Sequence, residues 1–206
     1  MRILVTGFEP FAGEQRNPSA EVVECLPENG SGFEVIKLIL PVVRRKASTA
    51  IQNAVEKFRP DVVLSIGQAG GRAGISVERM AVNLEDYRIP DNEGSQPSEE
   101  PVIPGGPDGY FCTVPVKQMV SNIQAVGIPV QQSLSAGTFV CNHVMYATLH
   151  FLAEKYPTIK FGFIHIPYLP EQAADKPGVP SMSLEVAVKA VKAALSAVTN
   201  KGETYE

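Results

Sequence analysis

The chain has 206 residues, enough to bury one good-sized core, so a single domain over residues 1–206 is the expectation. It is 44% hydrophobic and 19% charged, and its net charge of −4 is mild and scattered, which gives no electrostatic footprint for nucleic acid or an anionic membrane. No apolar run approaches the ~20 residues that span a bilayer, and the N-terminus begins as a strand without the shape of a signal peptide, so a cytoplasmic protein is expected.

In chain order, residues 2–6 read as a short apolar strand ending at Gly7, and residues 8–13 as a loop. Asn17-Pro18 has the form of an N-cap followed by proline at the first helical position, and that helix stops at Pro27. A strand over 33–40 is closed by Pro41. A helix over 44–58 follows, with Ala47, Ala50, Ile51, Ala54, Val55 and Phe58 at helical spacing. Residues 61–66 form an almost wholly apolar run, the mark of a strand buried on both faces.

Residues 67–74 are a glycine-rich loop, and 75–83 alternate as one strand. Residues 84–114 are irregular and hold five prolines, at 90, 97, 101, 104 and 107; a segment of that kind in a compact protein is functional or partly disordered. A helix over 115–126, stopped by Gly127, precedes a strand over 128–134. A tight turn then leads into a helical pattern over 144–156. A further apolar strand over 158–165, a proline-rich loop and an amphipathic helix over 183–198 complete the chain. Alternating strands and helices with fully apolar strands predict an α/β fold, a twisted, mostly parallel sheet with helices on both faces.

In such sheets ligands bind beyond the carboxyl ends of the strands. Cys141 lies just past one of those ends, near the first turn of a helix. There the unpaired N–H groups and the macrodipole favour a thiolate, so a nucleophile is one reading and a small buried apolar residue the other. His165 ends an apolar strand and emerges on the same side; a Cys–His pair is the minimum for an activated thiol. His143 and His150 share the helix of Cys141 and are weaker partners. Glu78 interrupts an otherwise apolar strand. It either faces solvent beside Arg79 or orients the imidazole of His165 as the third member of a triad.

The glycine loop with Arg72 invites a phosphate-binding reading but lacks both the G-x-G-x-x-G order and the Lys-Ser/Thr of a P-loop. An enzyme related to nucleoside phosphorylases would need that loop as its anion site. A non-catalytic peptide-binding module is the third reading. Three cysteines, Cys25, Cys112 and Cys141, show no paired or zinc-ligand spacing, which argues against a disulfide framework or a metal site.

Five ordered blocks resemble the pyroglutamyl-peptidase type I family of cysteine peptidases over essentially the whole chain. They are Thr6 to Phe11 with Asn17-Pro18, Gly67 to Arg72 with Ile75 to Asn83, Arg88 to Asn92, Ser135 to Asn142, and His165 to Pro170. The resemblance implies one α/β/α domain, homotetramers, no metal or organic cofactor, and peptides with an N-terminal pyroglutamate as substrates. It implies Cys141 as nucleophile, His165 as general base and acid, and Glu78 as third triad member. It also implies oxyanion stabilisation by Arg88 with the Cys141 N–H, a ring pocket of Phe8 and Phe11, and polar contacts from Asn17 and Gln68.

Overall fold

The computed structural model describes residues 1–30 and 32–199, so the last residues of the expected domain, 200–206, lie outside the described residues. The chain runs β1 (Arg2–Phe8), α1 (Pro18–Cys25), β2 (Asn29–Gly30), β3 (Phe33–Leu40), α2 (Arg44–Phe58), β4 (Val62–Gln68), β5 (Ile75–Glu78), β6 (Met80–Val82) and β7 (Gly109–Phe111). It continues through α3 (Val116–Ala125), β8 (Val130–Ser133), α4 (Val140–Lys155), β9 (Lys160–Ile166), α5 (Pro170–Ala173) and α6 (Leu184–Thr199).

The main sheet has the order β2-β3-β1-β4-β9-β5-β8. β1, β4 and β9 lie at its centre and run parallel to one another. Their near-continuous apolar sequences fit that place, because helices cover both faces and leave no solvated side. Ile3, Leu4, Val5, Val63, Leu64, Ile66, Phe161 and Ile164 are all fully buried. α1 and α3 both pack on α6 over one face, and α2 packs with α4 over the other. The amphipathic stripes predicted for α2 and α6 face inward, with Ala47, Ile51, Val55, Val191 and Leu195 buried. The predicted cap of α1 is present: Asn17 Oδ1 accepts from the Ser19 N–H at 3.0 Å, and Pro18 is the first helical residue.

Beyond the short elements β2, β7 and α5, which the sequence reading does not contain, three further features depart from it. Residues 75–83 are not one strand. β5 stays in the main sheet, parallel to β8 and antiparallel to β9, whereas β6 leaves it to pair with β7. The break falls at Arg79, whose guanidinium lies over the Phe111 ring of β7 at 5.0 Å. Second, α4 begins at Val140, four residues before the expected Val144, so Cys141 is its second residue. Third, β1 and β4 run two residues further than expected, to Phe8 and Gln68. The irregular segment after β6 is pinned to the rest of the protein. Asn142 on α4 bonds the Val82 N–H and the Val82 and Leu84 carbonyls, and Asn83 bonds Ile103 in both directions.

Candidate active site

β1, β4 and β9 end on the same edge of the sheet, and the first turn of α4 comes down onto that edge. A cavity of about 170 Å³ opens there, lined among others by Phe8, Phe11, Asn17, Gln68, Cys141 and His165. An apolar cavity of roughly 150 Å³ holds one small ring such as benzene, so the space suits one flat five- or six-membered group. Phe139 and Val140 form the wall above Cys141. Phe139 was not singled out from the sequence, although it immediately precedes the helix of Cys141. Its ring packs on Phe11 at 5.9 Å and on Tyr87 at 4.7 Å, so it joins the cavity wall to the pinned loop behind it.

Strand register explains how the chemical groups converge. His165 on β9 stands level with Gly67 on β4 and with Ser76 on β5. Because β5 is antiparallel to β9, Glu78 is level with Phe163, diagonal to His165 on the same face. The carboxylate spans that diagonal: Glu78 Oε1 accepts from His165 Nδ1–H at 2.8 Å. An ionised carboxylate can only accept, so Nδ1 carries the proton and Nε2 is the free nitrogen. The imidazole is 3% exposed and tilted against the Phe163 ring at 4.8 Å, which leaves it little freedom.

The thiol of Cys141 rests over Gly67. A β-carbon there would lie 3.0 Å from Cys141 Sγ and 3.0 Å from two ring atoms of the buried Phe163. Glycine at this place is therefore required by the close approach of α4 to the sheet. Gly67→Ala is expected to push the thiol out of line and lower kcat/KM by about 10²-fold, with the fold retained by circular dichroism. Activity within twofold of the parent would show that the fit is looser than described.

Local and surrounding effects on Cys141 oppose each other. The helix start favours a thiolate, as the sequence reading expected. Burial, however, pushes the thiol up to about 12, with the nearby Glu78 carboxylate adding to the rise and Arg72 opposing it. The free thiol is thus not acidic, and a thiolate forms only together with a protonated neighbour. Burial also raises Glu78, but the hydrogen bond and charge of His165, with the Arg72 hydrogen bond, outweigh it and hold the carboxyl below the usual range. Glu78 is fully buried and ionised, and Arg72 Nη1 donates to the same Oε1 at 2.6 Å.

The remaining expected residues fall in different settings. Asn17 lines the cavity but is 2% exposed and mostly committed: Oδ1 takes the Ser19 N–H and hydroxyl, and Nδ2 donates to the Glu9 carbonyl. Gln68 lines the cavity, and its Oε1 accepts from Gln172 at 3.0 Å. Arg88 is exposed and outside the cavity lining, one residue beyond the Tyr87 that packs on Phe139. His143 and His150 serve elsewhere: His143 pairs with Glu85 and Ser48, and His150 with Tyr110. The glycine loop is not a phosphate cradle. A strand follows it, and the Arg72 guanidinium is spent on Glu78 and on the Ser135 carbonyl at 3.1 Å.

The profile of the family described as pyroglutamyl peptidase matches residues 1–201. The chain belongs to that family. It is 52% identical over 202 residues to the pyrrolidone-carboxylate peptidase of Treponema denticola, covering 96% of this chain and 93% of that protein. It is 48% identical over 203 residues to the enzyme of the same name from Finegoldia magna, covering 98% and 95%. Among solved structures, the pyroglutamyl peptidase I of Bacillus amyloliquefaciens superposes with a TM-score of 0.94 at 42% identity, covering 99% of both chains. A mutant pyrrolidone carboxyl peptidase from Pyrococcus furiosus gives 0.91 at 45% identity, covering 96% of this chain and 98% of that one. Among the described residues no helix is long and apolar enough to cross a membrane.

Proposed function

We infer that the protein hydrolyses the bond after an N-terminal pyroglutamyl (5-oxoproline) residue of peptides, with Cys141 as nucleophile, His165 as base and acid, and Glu78 as the group that orients His165. The observation that supports it most is the shared cavity: a thiol and a carboxylate-held imidazole face a ring-sized apolar space at the strand ends. The thiol proton moves from Sγ to Nε2 of His165 as Sγ attacks the carbonyl carbon of the pyroglutamyl residue. Glu78 stabilises the resulting imidazolium without taking its proton.

The developing oxyanion is held by the Cys141 N–H at the start of α4, where helical N–H groups lack intrahelical partners. The reading also assigns Arg88, which lies outside the cavity lining, to that oxyanion. His165 then gives its proton to the leaving amine. Water clears the acyl-enzyme with His165 again acting as base. Phe8, Phe11 and Phe139 sandwich the lactam ring, and the Gln68 amide nitrogen and Asn17 serve its polar edge. The unit at work is a cytoplasmic homotetramer with residues 1–206 as one catalytic domain, and the chemistry draws on protein groups alone.

A lactam is neutral, whereas the ring of an N-terminal proline carries a secondary ammonium that is costly to bury in this apolar cavity. Pyroglutamyl-aminomethylcoumarin should therefore release its fluorophore at least about 10²-fold faster than the prolyl analogue. Equal turnover of the two would sink the proposed ring specificity.

A further inference from the structure

Arg72 takes part in none of the steps above, yet it contacts two parts of the site. The loop from β4 to β5 turns it back toward the sheet, with Gly71 at φ 88°, a left-handed conformation natural to glycine. Its side chain is 29% exposed and lines the same cavity as Cys141 and His165. The guanidinium forks. Nη1 donates to Glu78 Oε1, the same oxygen that His165 uses, and Nη2 donates to the Ser135 carbonyl at the entry to the turn that delivers Cys141. Glu78 Oε2 has no hydrogen-bond partner among the described residues, so Oε1 carries the contacts that fix this carboxylate.

We propose that Arg72 is a positioning residue for this reaction, joining Glu78 to the Ser135–Cys141 turn through its two donors and balancing the carboxylate's charge beside the forming thiolate. The inference rests on the assignment of Cys141 and His165 above. Proton transfer breaks the Sγ–H bond and forms an Nε2–H bond, leaving a thiolate and an imidazolium next to the Glu78 carboxylate. Without Arg72 these three groups sum to one negative charge in a largely buried place. With it they sum to zero. A lysine restores the charge but not the fork, because an ammonium is a point donor and a guanidinium a planar one.

The test compares the parent enzyme with Arg72→Met, Arg72→Gln and Arg72→Lys. Two quantities are read: kcat and KM on pyroglutamyl-aminomethylcoumarin, and the pH profile of iodoacetamide alkylation at Cys141, followed by peptide mapping so that Cys25 and Cys112 do not contribute. Loss of the positive charge raises the proton affinity of the pair. The acid limb of the alkylation profile should therefore move to higher pH in Arg72→Met and Arg72→Gln, and back toward the parent in Arg72→Lys. kcat should fall by about 10- to 100-fold in Arg72→Met, with KM far less affected.

An acid limb unmoved in folded Arg72→Met or Arg72→Gln overturns the inference, even if kcat falls, since a purely structural brace would produce that pattern. Should Arg72→Met fail to fold, Arg72→Gln, which keeps a donor but not the charge, gives the same reading. If the parent enzyme itself releases no coumarin, it is the assigned function that fails; if it does and the limbs coincide, only the role of Arg72 fails.

Discussion

Cys141→Ala is expected to abolish hydrolysis of pyroglutamyl substrates while leaving the protein folded. Cys141 as a residue is half-buried in the cavity wall, and the helix around it is held by other residues: Val140 and Val144 in the core and Asn142 through three hydrogen bonds. Removing one sulfur atom there costs little packing. Removing a nucleophile that acts with a base costs nearly the whole of its chemistry, about 10⁴-fold or more in kcat/KM, because the members of such a set work as a unit. Cys141→Ser is expected to fall almost as far, since a hydroxyl is harder to ionise than a thiol in surroundings that already push Cys141 up to about 12. Parallel measurement of kcat/KM and of the thermal midpoint separates the two effects. Retained turnover in either variant would remove Cys141 from its role. The pH dependence of the parent belongs to the Cys141–His165 pair rather than to the thiol alone.

Glu85→Ala has its largest effect on stability. Glu85 is 2% exposed and accepts from Tyr87 at 2.6 Å, from His143 Nδ1 at 3.0 Å and from Arg44 at 3.0 Å. His143 in turn meets Ser48 on α2 at 3.1 Å. One carboxylate thus ties α2, α4 and the loop that carries Tyr87. Its removal leaves a buried histidine with Ser48 alone, a buried phenol without its acceptor and, among the described residues, a guanidinium with Glu100 alone. Breaking such a buried charged set by deleting one partner costs about 3–5 kcal/mol. For a protein of this size that lowers the melting midpoint by roughly 10 °C.

Burial raises the Glu85 carboxyl, but its hydrogen bonds to His143 and Tyr87 and the Arg44 charge bring it below the ordinary value. A depressed folded-state value means the group contributes stability above its unfolded value of about 4.3, and loses it as pH falls through the folded one. The midpoint gap between parent and Glu85→Ala should accordingly be full at pH 7 and narrow below about pH 4. A gap under about 2 °C at pH 7 would show that the network is not a stability element. Because Tyr87 packs on Phe139, the variant should also bind substrate more weakly.

The sequence was most legible where the physics is local. α2 begins and ends where its apolar stripe and Pro60 predict, and the cap at Asn17 is as expected. The three central strands were read from their apolar runs. The break after Glu78 was not, because it depends on whether β5 has partners on both sides, and those partners, β8 and β9, come much later in the chain. The same distance hid the task of Glu78, which lies 87 residues from His165. The two readings left open for it, solvent-facing or triad, differ only in tertiary placement. The target of Arg72 was invisible for that reason, and the glycines around it pointed instead to an anion. The thiol shows the limit most clearly: its position at a helix start was readable, while the burial that reverses its acidity was not.

The place of β9 in the sheet also sets an order of events. β5 has no neighbour in the main sheet except β8 and β9, so it cannot be seated until residues 160–166 have been made and have paired with β4. Contacts of such long sequence separation form slowly and late. Until then Glu78 and His165 are apart and Cys141 is an ordinary thiol. A chain still short of β9 is therefore expected to hold Cys141 without the Glu78–His165 pair, which comes together as β9 closes the sheet.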